Sequence, residues 1–567
     1  MKPCPSTDRP DISRIAAAAA MAAVLLLLVI LYARTACYPF IEGDDAAMVT
    51  QHPVVKLGLS WHGLLWALTH GLYGIWMPLT ALTHMTDVSL FGSWAGGHHL
   101  TSVLWHVLAV LAFYTALRVL TGVRGASLLA AALLAVHPLC VEDVAWVSSR
   151  KDLVCGVFFA LALLAHGWYA QRPGLFRYAV VFAMALLALA GKTSAAPIPA
   201  VLLLLDAWPL GRFRTGDNAK CSPRRALWLV AEKIPLGLLA VAVMAVTWRA
   251  QHEVGAVAET GAPPFVLRVA AMGGCYVHYL AAFFGPFNLS PSYPYPPLVL
   301  WKASGSWVLV AALTLGALAA RRKAPWLAVG WFWFLAALVP VSGLMPYGTA
   351  PYADRYMYLP GMGLCLAAAW TLATLPLGRV LRGALCIALV LILAGVSWGQ
   401  VGVWRDTWSL FARKMQVCPN DAPTFSKAGE WLLKKGDLDG AIRCYRDAAR
   451  LAPGNAGYCY NLGSALMDRN PEESVPWLEK ATRLNPGDGP AWTNLGCALM
   501  NLKRPQDALA PLREGVRIQP NDANARVNLG VALLRTGNRE EARAVFGQAL
   551  ALDPLNAAAK SNLKLLH

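Results

Sequence analysis

Apolar runs and short polar breaks alternate along the first 410 residues in a rhythm that suits a membrane. Residues 15 to 33, IAAAAAMAAVLLLLVILYA, form one such run. At 1.5 Å per residue it is long enough to cross a hydrocarbon core of about 30 Å. Arg9 and Arg14 ahead of it give it the look of a signal peptide, but no soluble secreted domain adjoins it, so it is read as a retained first helix. Further apolar stretches near 100–121, 126–138, 153–170, 178–191, 194–207, 233–249, 268–285, 306–320, 325–343, 357–375 and 384–400 predict a polytopic helical bundle.

Beyond residue 410 the pattern becomes amphipathic and repeats. Pro419, Pro453, Pro486, Pro520 and Pro554 follow one another at intervals of 34, 33, 34 and 34, and Gly429, Gly463, Gly496 and Gly530 keep the same beat. The triplet Asn-Leu-Gly recurs at 461–463, 494–496 and 528–530. This is the tetratricopeptide (TPR) period, in which a small residue lets two antiparallel helices approach and a proline ends the second. About four repeats over 411–567 predict a curved α-solenoid that holds a protein or an extended peptide. The whole chain is therefore expected to be all-α, with a membrane domain at 1–410 followed by the repeats.

Composition agrees: 57% of the 567 residues are hydrophobic, 14% are charged and the mean hydropathy is +0.46, which excludes a water-soluble enzyme. The net charge of +17 does not point to nucleic acid, because the apolar part holds 28 basic and 16 acidic residues and the repeats 21 and 16. Basic loops set orientation in a membrane. Arg9/Arg14, Arg118/Arg124, Arg172/Arg177, the 212–225 cluster, Arg321/Arg322/Lys323 and Arg379/Arg382 are then all cytoplasmic. That assignment leaves both flanks of 268–285 outside, so this stretch is expected to be re-entrant or to lie against the bundle. Eleven spans result, and an odd number places the repeats on the non-cytoplasmic side, in the periplasm of a bacterium or the lumen of the endoplasmic reticulum in a eukaryote.

Candidate chemistry gathers on that outer side. The first external loop, 34–99, carries six of the twelve histidines but only four carboxylates: Glu42, Asp44, Asp45 and Asp87. The neighbouring Asp44 and Asp45 repel each other, so one can serve as a general base, or the two can hold a divalent cation. A solvated Gly-Asp-Asp turn is the plain alternative. Glu142, Asp143, Arg150, Lys151 and Asp152 cluster in VEDVAWVSSRKD, and Lys192 and Arg355 stand at the outer ends of apolar runs. Four cations on one face suit a phosphate, with arginine able to grip two oxygens; helix-end anchoring by snorkelling cations is the plain alternative for each. The histidines, His98 and His99 among them, lack metal-ligand spacing, and the twelve cysteines form neither paired CxxC motifs nor a disulfide framework, so no resident metal is assigned.

The strings IEGDDAAMV, WMPLTALTHMTDVSLFG, GGHHLTSVLWHVLAVLAFY, AVHPLCVEDVAWVSSRKDLV, YPYPP and YADRYMYLP, ahead of periodic repeats, resemble the transmembrane and TPR-containing O-mannosyltransferase family. HPxxxE, RKD and DRYxYLP are the most specific parts. The resemblance implies a GT-C glycosyltransferase that moves a sugar, mannose by family, from a polyprenyl-phosphate carrier to a hydroxyl of a protein acceptor with inversion. It further implies Asp44 or Asp45 as the base and Arg150, Lys151, Lys192 and Arg355 as phosphate-neutralising cations, with Glu142 or His98 orienting one of them. A noncatalytic TPR scaffold for envelope assembly or secretion, and a transporter of a lipid-linked sugar, are the competing readings. Scaffolding needs one anchor, not eleven spans, and a transport path needs ionisable residues in mid-span, where only His106, Asp206 and Glu232 come near.

Overall fold

The computed structural model describes residues 12–215, 220–253, 255, 264–294, 299–344 and 352–566. The chain separates into two compact units, Met1–Arg413 and Lys414–His567. In the first, α1 (Ile12–Ala33) leads into a loop carrying α2 (Trp61–Thr69) and α3 (Pro78–Phe91). There follow α4 (Ala95–Thr121), α5 (Arg124–Val136), the short α6 (Val141–Ala145), α7 (Arg150–Gln171), α8 (Leu175–Gly191) and α9 (Ile198–Ala207). A two-residue antiparallel ladder, Arg214–Thr215 with Lys220–Cys221, precedes α10 (Pro223–Glu253). The bundle is completed by α11 (Phe265–Phe284), α12 (Leu300–Ala320), α13 (Pro325–Leu338), α14 (Tyr358–Thr374) and α15 (Arg379–Val403).

Among the described residues eight helices are long and apolar enough to cross a membrane, nine if the bent pair Arg124–Val136 and Pro138–Ala145 counts as one span. Three shorter apolar helices, Leu175–Gly191, Thr193–Ala207 and Pro325–Val341, pack among them. The core is one continuous apolar cluster running from α1 to α15, with Trp333 at its centre against Phe113 and Phe159. Outward-facing leucines, isoleucines and valines such as Val380, Ile387 and Ile392 stay exposed, as a lipid-facing surface requires.

Two local features differ from, or sharpen, the sequence reading. The stretch expected to be re-entrant or peripheral is one unbroken helix, α11, so the re-entrant half of that expectation does not hold. Near its start Arg268 donates to the Leu344 carbonyl in the loop after α13, and at its finish Phe283 stacks on His137 in the turn after α5. The sharp bend lies instead at His137–Pro138, where α5 and the following segment meet at 54°. Proline disfavours the helical conformation for the residue before it, and His137 is extended at φ −70°, ψ 130°. In the first loop Ser60 caps α2 by accepting from the Gly63 amide at 3.0 Å. Leu57, Trp61, Leu65 and Leu68 are exposed along that segment, a stripe that suits the headgroup layer.

In the second unit four helix pairs stack in order: α17 (Ala422–Lys434) with α18 (Leu438–Leu451), α19 (Ala456–Leu466) with α20 (Pro471–Leu484), α21 (Gly489–Asn501) with α22 (Pro505–Ile518), and α23 (Ala523–Arg535) with α24 (Arg539–Leu552). They follow α16 (Thr407–Val417), and α25 (Ala557–Lys564) closes the array. Each inter-repeat proline is followed two residues later by an Asx residue that caps the next helix: Asn455, Asp488, Asp522 and Asn556 accept from the amides of Tyr458, Ala491, Ala525 and Ala559. The periodic glycines mark the crossing of each pair; a Cβ on Gly496 would stand 2.3 Å from Leu512 of α22. Gly496→Ala is therefore expected to destabilise the repeats by about 1–3 kcal/mol. Gly547→Ala in α24, where a Cβ meets nothing within 4 Å, is expected to be neutral or stabilising by up to about 1 kcal/mol. Protease sensitivity of the second unit in the full-length protein measures both.

Candidate active site

The bend at His137–Pro138 turns the chain away from the bundle axis, and α6 then presents Glu142 and Asp143 to the loop end. His137 holds the turn by accepting from the Leu139 amide with one ring nitrogen while the other meets the Phe283 carbonyl at 3.1 Å. Three segments distant in sequence meet there. Residues 41–45 are fastened to 148 through Asp45, residue 142 to 355 through an ion pair, and residue 152 to 192 through another.

Asp44 and Asp45 take different roles in this arrangement. Asp45 is fully buried, and its carboxylate accepts from the Ile41 amide at 2.8 Å, the Ser148 amide at 2.9 Å and the Ser148 hydroxyl. Burial raises its carboxyl to about 6, against the lowering effect of those three donors. It ties the first loop to the turn before α7 and has no open lone pair aimed outward. Asp44 is half-buried and lies within electrostatic range of Tyr73 and Lys151. The two carboxylates thus have different surroundings, Asp45 enclosed by Ile41 and Ser148 and Asp44 half-open. Among the described residues no group of three or more His, Cys, Asp or Glu is placed to hold a metal.

The four cations also separate. Arg150 is fully enclosed: its guanidinium lies 2.5 Å from Asp87 and donates to the His98 carbonyl at 2.6 Å and to Ser102 at 3.1 Å. The expectation that Arg150 neutralises a bound phosphate is thus corrected, because its charge is spent on Asp87 inside the protein. His98 belongs to the same enclosed group, 3.6 Å from Asp87 and 3.1 Å from the Gly92 carbonyl, and orients neither acidic residue of the pair. Lys192 donates to both oxygens of Asp152 at 2.6 and 2.7 Å. Glu142 orients no base; it receives the Arg355 amide at 3.0 Å and its guanidinium at 2.5 Å. Arg355 keeps an outer edge, 16% exposed, and lies 5.5 Å from the centre of the Trp146 ring. Lys151 lies 5.8 Å from the same ring, half-buried, and its ammonium donates to the Ser148 carbonyl at 2.7 Å. Among the described residues Lys151 has no carboxylate within ion-pair distance.

The site thus sets a lysine without a carboxylate partner and an arginine edge beside one indole, with Asp44 and Lys192 within electrostatic range of that lysine. Several of its parts carried no sequence signal. Asp87 lies 63 positions before Arg150, and Ser148, Trp146 and Tyr73 look like ordinary loop residues. Tyr293 is legible only as part of the YPYPP string, whose residues 295–297 lie outside the described residues; its hydroxyl donates to Asp354 at 2.8 Å and so joins that string to YADRYMYLP.

A tetratricopeptide-repeat family model matches residues 390–557. The chain is 25% identical over 518 residues to Protein O-mannosyl-transferase TMTC1 of Homo sapiens, covering 77% of this chain and 56% of that protein. It is 24% identical over 491 residues to Protein O-mannosyl-transferase TMTC4 of Mus musculus, covering 74% and 64%. The chain therefore spans roughly three fifths of the length of these curated relatives. Among solved structures it is similar to MamA, at 25% identity over 26% of this chain and 80% of that one with a TM-score of 0.25. A second is YrrB, described as a TPR protein with an unusual peptide-binding site, at 27% identity over 28% and 81% with a TM-score of 0.25. Over about three quarters of its length this chain is therefore similar to the TPR-containing protein O-mannosyl-transferases, and its long apolar helices are those of a multi-pass membrane protein.

Proposed function

We propose that the protein transfers a hexose, mannose by family likeness, from a polyprenyl phosphate to a hydroxyl of a protein acceptor on the non-cytoplasmic side of the membrane. Asp44 takes the proton of the acceptor hydroxyl. The freed oxygen attacks the anomeric carbon from the face opposite the phosphate, and the bond from that carbon to the phosphate oxygen breaks with its electron pair leaving on the lipid phosphate. Configuration inverts. Lys151 and the outer edge of Arg355 receive the charge that grows on the departing phosphate, where most of the lowering of the barrier arises. Lys192, held on Asp152, adds field from behind. The repeats bind the acceptor protein.

The observation that carries this reading is the lone ammonium of Lys151, beside Arg355 on the Trp146 ring and within electrostatic range of the half-open Asp44. A half-buried cation without a carboxylate is completed by an anion bound beside it. A lipid-linked donor carries that anion and needs no nucleotide fold.

Transfer from polyprenyl-phosphate mannose to a serine- and threonine-containing peptide, measured with purified protein in proteoliposomes, tests the assignment. Asp44→Asn is expected to lower kcat by roughly 10²-fold or more with unchanged thermal stability. Asp45→Asn is expected to keep measurable transfer while the protein loses about 1–3 kcal/mol, because the Ile41 amide loses its acceptor. Equal activity in wild type and Asp44→Asn would refute the base assignment.

The cations give a second contrast. Lys151→Met is expected to fold normally and lose transfer by roughly 10- to 100-fold. Arg150→Met leaves Asp87 buried without its partner and is expected to cost about 3–5 kcal/mol, seen as poor yield of folded protein. Side is read independently: a reporter fused after residue 567 is expected to score as non-cytoplasmic, and a cytoplasmic score would contradict the proposed topology.

A further inference from the structure

The turn that carries Asp44 is held from both sides by segments distant in sequence. Within it, the Ala47 amide donates to the Gly43 carbonyl at 3.0 Å and the Ile41 amide to the Asp45 carboxylate at 2.8 Å. From outside, the Ser148 amide donates to Asp45 at 2.9 Å, and the Glu42 amide donates to the Thr407 hydroxyl oxygen at 3.1 Å. Asp44 thus stands between two anchors, Ser148 acting on the residue after it and Thr407 on the residue before Gly43. Gly43 has a φ of +112°, and a glycine there leaves the turn little stiffness of its own. The direction in which Asp44 leaves the backbone therefore depends on both anchors.

The Thr407 anchor is itself firmly placed. Thr407 is buried at the start of α16, where Asp406 caps the helix by accepting from the Ser409 amide at 2.7 Å. Just ahead of it Trp404 stacks on Trp146, the ring beside which Lys151 and Arg355 lie. Farther along the same helix, the Arg413 guanidinium donates to the Leu289 carbonyl at 3.0 Å and the Phe287 carbonyl at 2.9 Å. That loop leads to Tyr293, whose hydroxyl donates to Asp354, the chain neighbour of Arg355. Residues 404–413, all within the first unit, are thus joined to the indole of the site, to the Asp44 turn and to the loop that reaches Asp354.

We infer that Thr407 is a positioning residue for the transfer proposed above: its hydroxyl oxygen holds the backbone ahead of Gly43, so that the Asp44 carboxylate is delivered to one place at the acceptor hydroxyl. This rests on the reading of Asp44 as the base. Without that acceptor the turn can swing about Gly43 while Ser148 still holds Asp45, and Asp44 spends less time in the reactive position. Lys151, Arg355 and Lys192 keep their own partners, so the loss falls on the chemical step and not on donor binding. Thr407 transfers no proton; it acts through the Glu42 amide alone.

The same proteoliposome assay, with polyprenyl-phosphate mannose and the peptide each varied, separates the possibilities. Thr407→Val keeps the shape of the side chain but removes the accepting oxygen, and is expected to lower kcat about tenfold with KM for both substrates within about twofold of wild type. Thr407→Ser keeps the oxygen and is expected to stay within about twofold of wild type in both constants. Wild-type kcat in Thr407→Val, an equal loss in Thr407→Ser, or a loss carried by KM overturns the inference. Hydrogen exchange resolved to single amides adds a check that needs no variant. In the wild-type protein the Glu42 amide is expected to exchange about tenfold or more slowly than an open amide in the same sequence context, and exchange at the open rate would remove the anchor. Asp44→Asn is run in parallel. An inactive Asp44→Asn beside a fully active Thr407→Val isolates the failure to Thr407, whereas an active Asp44→Asn removes the base assignment and the inference with it.

Discussion

An acidic or basic side chain taken out of water into an apolar bundle must be met by an opposite charge or by hydrogen-bonding groups, and this condition organises the buried ionisable positions of the first unit. Asp87 is met by Arg150, Asp152 by Lys192 and Glu142 by Arg355. Away from this site, Asp206 and Glu232 are met by Arg212 and Lys233, with His166 2.8 Å from Asp206. Once these pairs are formed, few charges at the loop end stay uncommitted. Lys151 keeps its ammonium without a carboxylate, and Asp44 keeps its accessible carboxylate, while the adjoining Asp45 is consumed by Ser148 and Ile41.

Backbone geometry does the rest. The break at His137–Pro138 carries Glu142 toward Arg355, and the Asp45 anchor brings the first loop onto the turn before α7. Trp146, stacked on Trp404 at 5.3 Å between ring centres, gives Arg355 and Lys151 a fixed surface to lie near. In the second unit glycine at each helix crossing and an Asx cap after each proline repeat one solution four times, so that the array follows from short-range rules.

That difference explains what was legible in the sequence. The repeats could be read almost completely, because their determinants recur every 33 or 34 residues and act over one helix pair. The apolar helices could be read from run length, although not the bend at His137 nor the unbroken course of α11, since apolarity alone fixes neither direction nor continuity. At the site, the residue types and strings were visible, but their commitments were not. Arg150 and Lys151 are chain neighbours of like charge, and only the distant Asp87, facing one and not the other, distinguishes them. Asp44 and Asp45 are likewise indistinguishable until Ser148 is known to bind one of them.

The central claim is that Lys151 is the cation left open for a lipid phosphate, and lysine footprinting tests it without relying on turnover. The full-length protein in proteoliposomes is acylated at accessible amines with and without added polyprenyl monophosphate, and each lysine is followed by mass spectrometry. The account expects the lipid to protect Lys151 while exposed lysines of the repeats, such as Lys434 and Lys435, react as before. Unchanged acylation of Lys151, at lipid concentrations that inhibit sugar transfer, would contradict it.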